Sequence, residues 1–475
     1  MARTHDQKTP GSRSMFLAVL LLTGLAPIAN ANPAGPYAAQ LQRECQELLS
    51  QVVKRSYGWG WTEDGPQLRA RAGGQRITLD PPGTAAAGYL LYWAGDLLDR
   101  VDYKEAAYNA ARGVAASQQP SGQMPAESLF LPTSTGGHDA PLLIASRAST
   151  RAAVGLMLTL LDEGGAKDDQ FRPHVASALN WLLKQQATLG AWPQGYPPTT
   201  LPRDAVRLTR LDTPDFRDSV LTMLLAADVL GDARYRHSVE RSLQTVLRMR
   251  VGGASKLGEP LWATAYSLDA FPTDRIQEFP PGVDLLATRN AMQMLLDGYV
   301  MLGDPPKLGE DDRSWSTPLK DAAIAAQKLP KFDGKWLRRY DYDVAATPPP
   351  PNPPVDSFQT VAQQIPPSKQ LGFFGMDTLI EDSQNLLDAG REKFIAALNA
   401  NFTVRQRLAA AACGLDDDPF AVDLPVRSED IPAYLKDHAD RFRVLGESTP
   451  PSLTDRTRRL FLLLIRAKLE ARQAH

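Results

Sequence analysis

Apolar residues recur every three to four positions over successive stretches of the chain, the period of one helix face. The first stretch runs from Tyr37 to about Val53, with Leu41, Cys45, Leu48 and Leu49 on one stripe. It leads into an aromatic, glycine-rich loop, Tyr57-Gly58-Trp59-Gly60-Trp61, a candidate cap or cleft wall. Helical patterns then come in pairs: Thr84–Leu98 with Tyr103–Ser117, Ser149–Leu161 with Phe171–Gln186, Asp215–Leu230 with Tyr235–Arg250, and Asp284–Leu302 with Trp315–Lys328. Short Leu-Asp or Gly-Asp links at Leu98-Asp99, Gly231-Asp232 and Gly303-Asp304 join paired helices, so each pair reads as a hairpin.

The hairpins repeat. Gly122, Gly190 and Gly258 stand 68 residues apart, and Pro125 and Pro193 share that spacing. A helical hairpin cannot bury both its faces alone, so a tandem must stack as a solenoid or close into a ring of inner and outer helices. The ring is the expectation: an all-α fold, an α/α toroid of repeated hairpins whose loops after successive second helices gather on one side. Thr347-Pro348-Pro349-Pro350-Pro351-Asn352-Pro353-Pro354 then breaks the pattern, because a proline run has no amide donors for a helix or sheet. Helical spacing resumes over Met376–Asn399, Val404–Cys413, Ser428–Phe442 and Thr454–Arg472. The expected domains are a toroid at 32–345, a linker at 346–356 and a separate helical C-terminal region at 357–475.

Composition narrows the function. With 43% hydrophobic and 22% charged residues over 475 positions, the chain has the makeup of a globular protein with a sizeable core. Its formal net charge of -2 lacks the basic excess of nucleic-acid binders. Arg3, Lys8 and Arg13 precede an apolar run from Met15 to about Ile28 and the small-residue site Ala29-Asn30-Ala31, the order of a secretory signal peptide over 1–31. An exported (secreted or periplasmic) protein without a membrane span is expected. Cys45 and Cys413 form no metal-ligand spacing and suit two buried apolar thiols.

Residues that could carry chemistry cluster in the loops. Gln186-Ala187-Thr188-Leu189-Gly190-Ala191-Trp192-Pro193-Gln194-Gly195-Tyr196-Pro197 is a rigid loop whose glutamines and tryptophan suit sugar hydroxyls and ring faces, or equally hairpin packing. Asp212, Asp215 and Asp218 bracket a helix start, where Asp212 or Thr213 also suits an N-cap with Pro214 at the first helical position. Arg275 with Glu278, and Arg338 with Arg339, complete the set. Arginines and carboxylates in an aromatic groove fit acidic polysaccharide.

From about Ile77 to Asp341 the chain resembles the pectate lyases of polysaccharide lyase family ten. Gly190-Ala191-Trp192-Pro193-Gln194-Gly195-Tyr196-Pro197 is similar to that family's Gly-Gly-Trp-Pro-Gln-x-Tyr-Pro, and Lys335-Trp336-Leu337-Arg338-Arg339-Tyr340 to its Trp-Ala-Arg-Phe-Tyr. Pro260-Leu261-Trp262 and Arg275 to Glu278 fall near two further motifs, although the Gln and His that follow the family's tryptophan are replaced by Ala263-Thr264-Ala265-Tyr266. The resemblance implies β-elimination of polygalacturonate with Arg275 as base. It implies substrate contacts from Trp192, Gln194, Tyr196, Trp262, Glu278 and Arg338, and calcium held by Asp215 and Asp218. Another activity class is kept beside it: a carbohydrate- or protein-binding toroid that has lost lyase activity. Gln186-x-x-x-Gly190-x-Trp192 also resembles the Gln-Trp repeat of squalene-cyclase-like toroids, which is a packing motif.

Overall fold

The structure is a computed structural model, which describes residues 35–64, 74–131, 145–164, 169–193, 208–250, 261–266, 282–305, 314–329, 331–332, 334–341, 371–372, 376–399, 402–415, 431–437, 439–446 and 452–473. Among the described residues the outer helices are α1 (Pro36–Ser50), α3 (Val101–Ala116), α5 (Arg172–Lys184), α7 (Ala233–Arg248) and α9 (Ser316–Gln327). Between them run the inner helices α2 (Thr84–Leu97), α4 (Arg147–Gly164), α6 (Pro214–Leu230) and α8 (Leu285–Leu302). The hairpin pairs follow the expected boundaries to within a few residues.

Sequence decides which helix is inner. In α4 every residue from Ser149 to Leu161 is buried, and in α2 every residue from Thr84 to Gly95. α7 instead buries one stripe, Tyr235, Ser238, Val239, Ser242, Leu243, Thr245 and Val246, and turns its charged face outward. A helix apolar all round belongs inside; an amphipathic one belongs on the perimeter. α2 packs on α4, α4 on α6 and α6 on α8, so the inner helices form a continuous arc, each backed by outer helices.

The helices after the proline-rich stretch are α10 (Met376–Ala389), α11 (Arg391–Asn399), α12 (Val404–Ala412), α13 (Ile431–Asp437), α14 (Ala439–Phe442) and α15 (Leu453–Gln473). The expected single helix over Met376–Asn399 is two, because Gly390 takes φ +85°, a left-handed conformation that ends a helix. These helices correct the expectation of a C-terminal region that stands apart. α10 packs on α8 and α9, α15 on α1 and α2, and α12 on both α4 and α6. α12 lies antiparallel to α4 inside the arc: Arg405 reaches Asp162 at one end, and the Cys413 thiol donates to Ala152 O at the other. Its run Ala409-Ala410-Ala411-Ala412 explains the fit, since a Cβ at Gly155 would stand 2.8 Å from the Ala412 methyl. Apolar residues on both sides of the proline stretch share one core. The linker itself lies outside the described residues.

Short strands that no helical period announces connect the hairpins. They are β1 (Val53–Arg55), β2 (Gly58–Gly60), β3 (Gln75–Thr78), β4 (Met124–Pro125), β5 (Glu127–Phe130), β6 (Ala145–Ser146), β7 (Thr209–Arg210), β8 (Ala265–Tyr266), β9 (Gly282–Asp284), β10 (Lys331–Phe332), β11 (Lys335–Leu337), β12 (Arg339–Asp341) and β13 (Leu371–Gly372). Among the described residues the strand pairings are antiparallel: β1–β2, β3–β5, β4–β6, β7–β8, β9–β12, and β10–β11–β13. Several of these pairs brace the N-terminal ends of the inner helices, which form the mouth of the toroid.

Candidate functional site

The repeated loop is architecture first. Trp61, Trp192 and Trp262 are each almost wholly buried. Their indole N–H groups donate to Leu48 O at 2.8 Å, Leu182 O at 3.1 Å and Val246 O at 2.8 Å, carbonyls in the last turn of the preceding outer helix that also accept the capping amides of Gln51, Gln185 and Met249. Gln186 Nε2 donates to Gly190 O, Ser238 O and Ser242 Oγ, and Gln118 Nε2 does the same toward Gly122 O and His174 O. Each glutamine thus staples its loop to the next outer helix. The expectation that Trp192 and Trp262 offer ring faces to sugar is corrected: both rings are in the core, and their polar edges are used. The Gln-Trp packing resemblance describes this loop better than the sugar-binding one.

A further repeat escaped sequence reading. The backbone N–H groups of Trp61, Met124 and Trp262 donate to the hydroxyls of Thr84, Thr150 and Thr288, each in the first turn of the next inner helix. For Met124 and Trp262 the offset is 26 residues. The same offset from Trp192 falls on Asp218. There the repeat gives up a packing threonine for a carboxylate, a signal that aligning the repeats by their tryptophans would expose.

Around that departure lies an ion cluster at the mouth. Arg147 Nη1 contacts Asp215 Oδ2 at 2.6 Å, Arg151 contacts Asp215 Oδ1, and Arg151 approaches Asp218 at 3.9 Å. Asp218 also accepts from Arg217, whose Nη1 donates to Asn290 Oδ1. Arg147 Nη2 donates to Pro193 O at 2.7 Å, so the Trp192 loop is tied to the cluster through its backbone. Burial alone would raise the Asp215 carboxyl; Arg151 and Arg147 outweigh it and hold the group below its ordinary value. Burial pushes the Arg147 guanidinium down.

Beside this cluster, two partly exposed arginines share one buried carboxylate. Arg210, at the end of β7, donates to Asp212 through Nε at 2.9 Å and Nη2 at 2.6 Å. Arg338, just before β12, donates to the same Asp212 Oδ2 at 3.2 Å and lies 3.8 Å from Asp284. The Asp212 and Asp284 side chains are 1% exposed, whereas Arg210 is 22% and Arg338 17% exposed. The carboxylates are inside and hold the two guanidiniums in place while leaving each partly exposed. Position follows from the strands: Arg339 pairs with Asp284 across β9–β12, and Arg338 O accepts from Leu285 N at the start of α8. Thr213 is the N-cap of α6 with Pro214 behind it, but no side chain caps that helix; Asp212 is committed to arginines.

Of the expected site residues, Arg338, Asp215 and Asp218 come to the mouth. Arg275, Gln194, Tyr196 and Glu278 lie outside the described residues. Asp215 and Asp218 as arranged do not fit calcium: guanidiniums hold their oxygens, and their positive charge opposes a second cation. Among the described residues no group of three or more His, Cys, Asp or Glu side chains could hold a metal. Cys45 and Cys413 are free and buried, and burial pushes both thiols up. No helix of the described residues is long and apolar enough to cross a membrane.

No protein-family model matches the sequence, and no curated protein matches it. The architecture speaks from its own helices. The chain is an α/α toroid. Among solved structures it is similar to a family 10 polysaccharide lyase from Cellvibrio cellulosa, at 17% identity over 54% of this chain and 81% of that one, with a TM-score of 0.34. It is also similar to a cold-adapted family 8 xylanase, at 10% identity over 92% and 91% of the two chains and a TM-score of 0.40. A third is the cellobiose 2-epimerase from Spirochaeta thermophila DSM 6192, at 15% identity over 92% and 95% and a TM-score of 0.44. At these scores the superpositions are loose, and the functional reading rests on this toroid's own residues.

Proposed function

We propose that the protein is an exported carbohydrate-active toroid that takes acidic polysaccharide of the polygalacturonate kind at its mouth. The observation that carries this reading is the sharing of Asp212 Oδ2 by Arg210 and Arg338. Two guanidiniums held side by side by a buried carboxylate present a fixed cationic edge, the geometry that takes a carboxylate by charge-assisted hydrogen bonds. Bound there, a uronate carboxylate would be neutralised by arginine, which acidifies the adjacent C5–H. Elimination then needs a base to remove that proton as the C4–C5 double bond forms and the C4–O bond breaks, with the electron pair leaving on oxygen. Arg275 is the proposed base through the family resemblance.

A binding module without elimination is the second reading. The burial of Trp192 and Trp262 favours it, because the motif that most resembles the lyases has a packing role here. Titration with hexagalacturonate, followed by an ultraviolet assay for unsaturated product, separates the two. Binding with product that vanishes in Arg275→Ala supports the lyase; binding without product supports the module. An Arg338→Ala variant that binds hexagalacturonate as tightly as the parent protein would sink both.

A further inference from the structure

The turn ahead of α2 carries an exposed aspartate that no motif accounts for, and it is held far more firmly than a surface side chain requires. The amides of Leu79 and Asp80 both donate to Ala126 O, at 2.8 and 2.9 Å. Gly83 closes the turn so tightly that a Cβ there would stand 2.5 Å from Asp80 O and 2.7 Å from Thr78 O. Gly414, at the end of α12, abuts Pro81 from inside the toroid. The side chain is fixed too. Asp80 Oδ1 accepts from Ser146 Oγ at 2.5 Å and Ser149 Oγ at 2.8 Å, and Ser146 is itself pinned by the pairing of β4 with β6. Among the described residues Asp80 Oδ2 has no hydrogen-bond partner, and the residue is exposed.

The start of α4 therefore holds two carboxylates by different means. Ser146 and Ser149 hold Asp80 with neutral hydroxyls, while Arg147 and Arg151 hold Asp215 with charge. Asp215 is locked into ion pairs; Asp80 keeps one oxygen for something else.

We propose that Asp80 is a sugar-hydroxyl acceptor of the mouth, a subsite distinct from the Arg210 and Arg338 edge. It rests on the reading that a glycan binds this face. The two serines fix the carboxylate plane, so that Oδ2 takes ring hydroxyls without first losing side-chain freedom, and an ionised acceptor makes the stronger kind of hydrogen bond. The mouth then has two poles. The arginine edge takes the carboxylate of one sugar, and Asp80 takes the hydroxyls of another whose own carboxylate is turned away from it.

The test is calorimetric titration of the full chain with hexagalacturonate and with neutral xylohexaose. Asp80→Asn keeps an oxygen for the two serines and replaces the charged Oδ2 acceptor with a neutral NH2 donor. It should weaken hexagalacturonate binding about ten-fold or more, the scale of a hydrogen bond to a charged group, with the melting temperature unchanged. Asp80→Glu should fail to restore binding, because the longer arm leaves the serines. Unchanged or tighter binding by Asp80→Asn, or a loss that tracks a fall in melting temperature, overturns the subsite. If the parent protein binds only xylohexaose, the acidic-substrate reading falls while the subsite stands or falls on whether Asp80→Asn weakens that probe. If neither probe binds, both fall.

Discussion

Asp215 shows what one residue contributes to the mouth. Its side chain is 27% exposed, yet both oxygens face guanidiniums. Removing one member of such a set leaves the others charged in a low-dielectric place, so Asp215→Asn should cost about 3 kcal/mol, the lower end for breaking a buried pair. Urea unfolding at neutral pH measures it. The sign with pH follows from the depressed carboxyl. An unfolded aspartate titrates near about 3.9. The stabilisation is whole above that value and is lost as pH falls through the lower folded one. The gap between parent and variant should therefore close in acid; a gap that stays constant down to about pH 2 would show that Asp215 acts through packing instead. Under the proposed function, Arg338 is the residue on which binding should turn. Its replacement by lysine should not restore hexagalacturonate affinity, because a point charge cannot reproduce the edge of a guanidinium fork.

At the scale of the element, the repeated loop joins each outer helix to the next inner one. Gly190 takes φ +109°, and a Cβ there would stand 2.5 Å from the Arg241 carbonyl on α7; Gly122 has the same relation to Ser177 on α5. Glycine is required twice over, by conformation and by space. Gly190→Ala should destabilise by about 1–3 kcal/mol in thermal unfolding. Trp192→Ala should cost about 3–5 kcal/mol, the range for emptying a buried aromatic site. Affinity per folded molecule should stay unchanged. A selective loss of affinity in a fully stable Trp192→Ala protein would return that ring to the binding site.

At the scale of the whole molecule, α12 decides the outcome. It fills the inside of the arc with small residues and ends against the turn that holds Asp80. Arg405 ties its start to Asp162 and Asp228 on the far side. The toroid and the C-terminal helices should then fold together. A chain ending at residue 345 is expected to lose cooperative unfolding in calorimetry, since the inner faces of α4 and α6 would lie open. A sharp, parent-like transition in that fragment would restore the picture of two domains. Gly155→Leu tests the same seat locally, because overpacking of this kind costs about 1–3 kcal/mol or more and should make α12 sensitive to protease.

By itself the sequence determined the helices, their pairing and their repetition, because hydrophobic period, glycine stops and fixed spacing are local properties of the chain. It also marked Arg338 and the aspartates of α6 as worth attention. What it could not determine was burial and partnership. Trp192 reads the same whether its ring faces sugar or a helix end, and only the packed hairpins decide that Leu182 O takes its N–H. Asp215 and Asp218 read as metal ligands until Arg147 and Arg151, from another hairpin, arrive on their oxygens. The proline run reads as a boundary because it cannot join a helix; whether the helices beyond it return to the core depends on the width of the space inside the arc. Asp80 carried no motif at all, since its partners Ser146 and Ser149 are distant in sequence and meet it only when α4 folds beside α2.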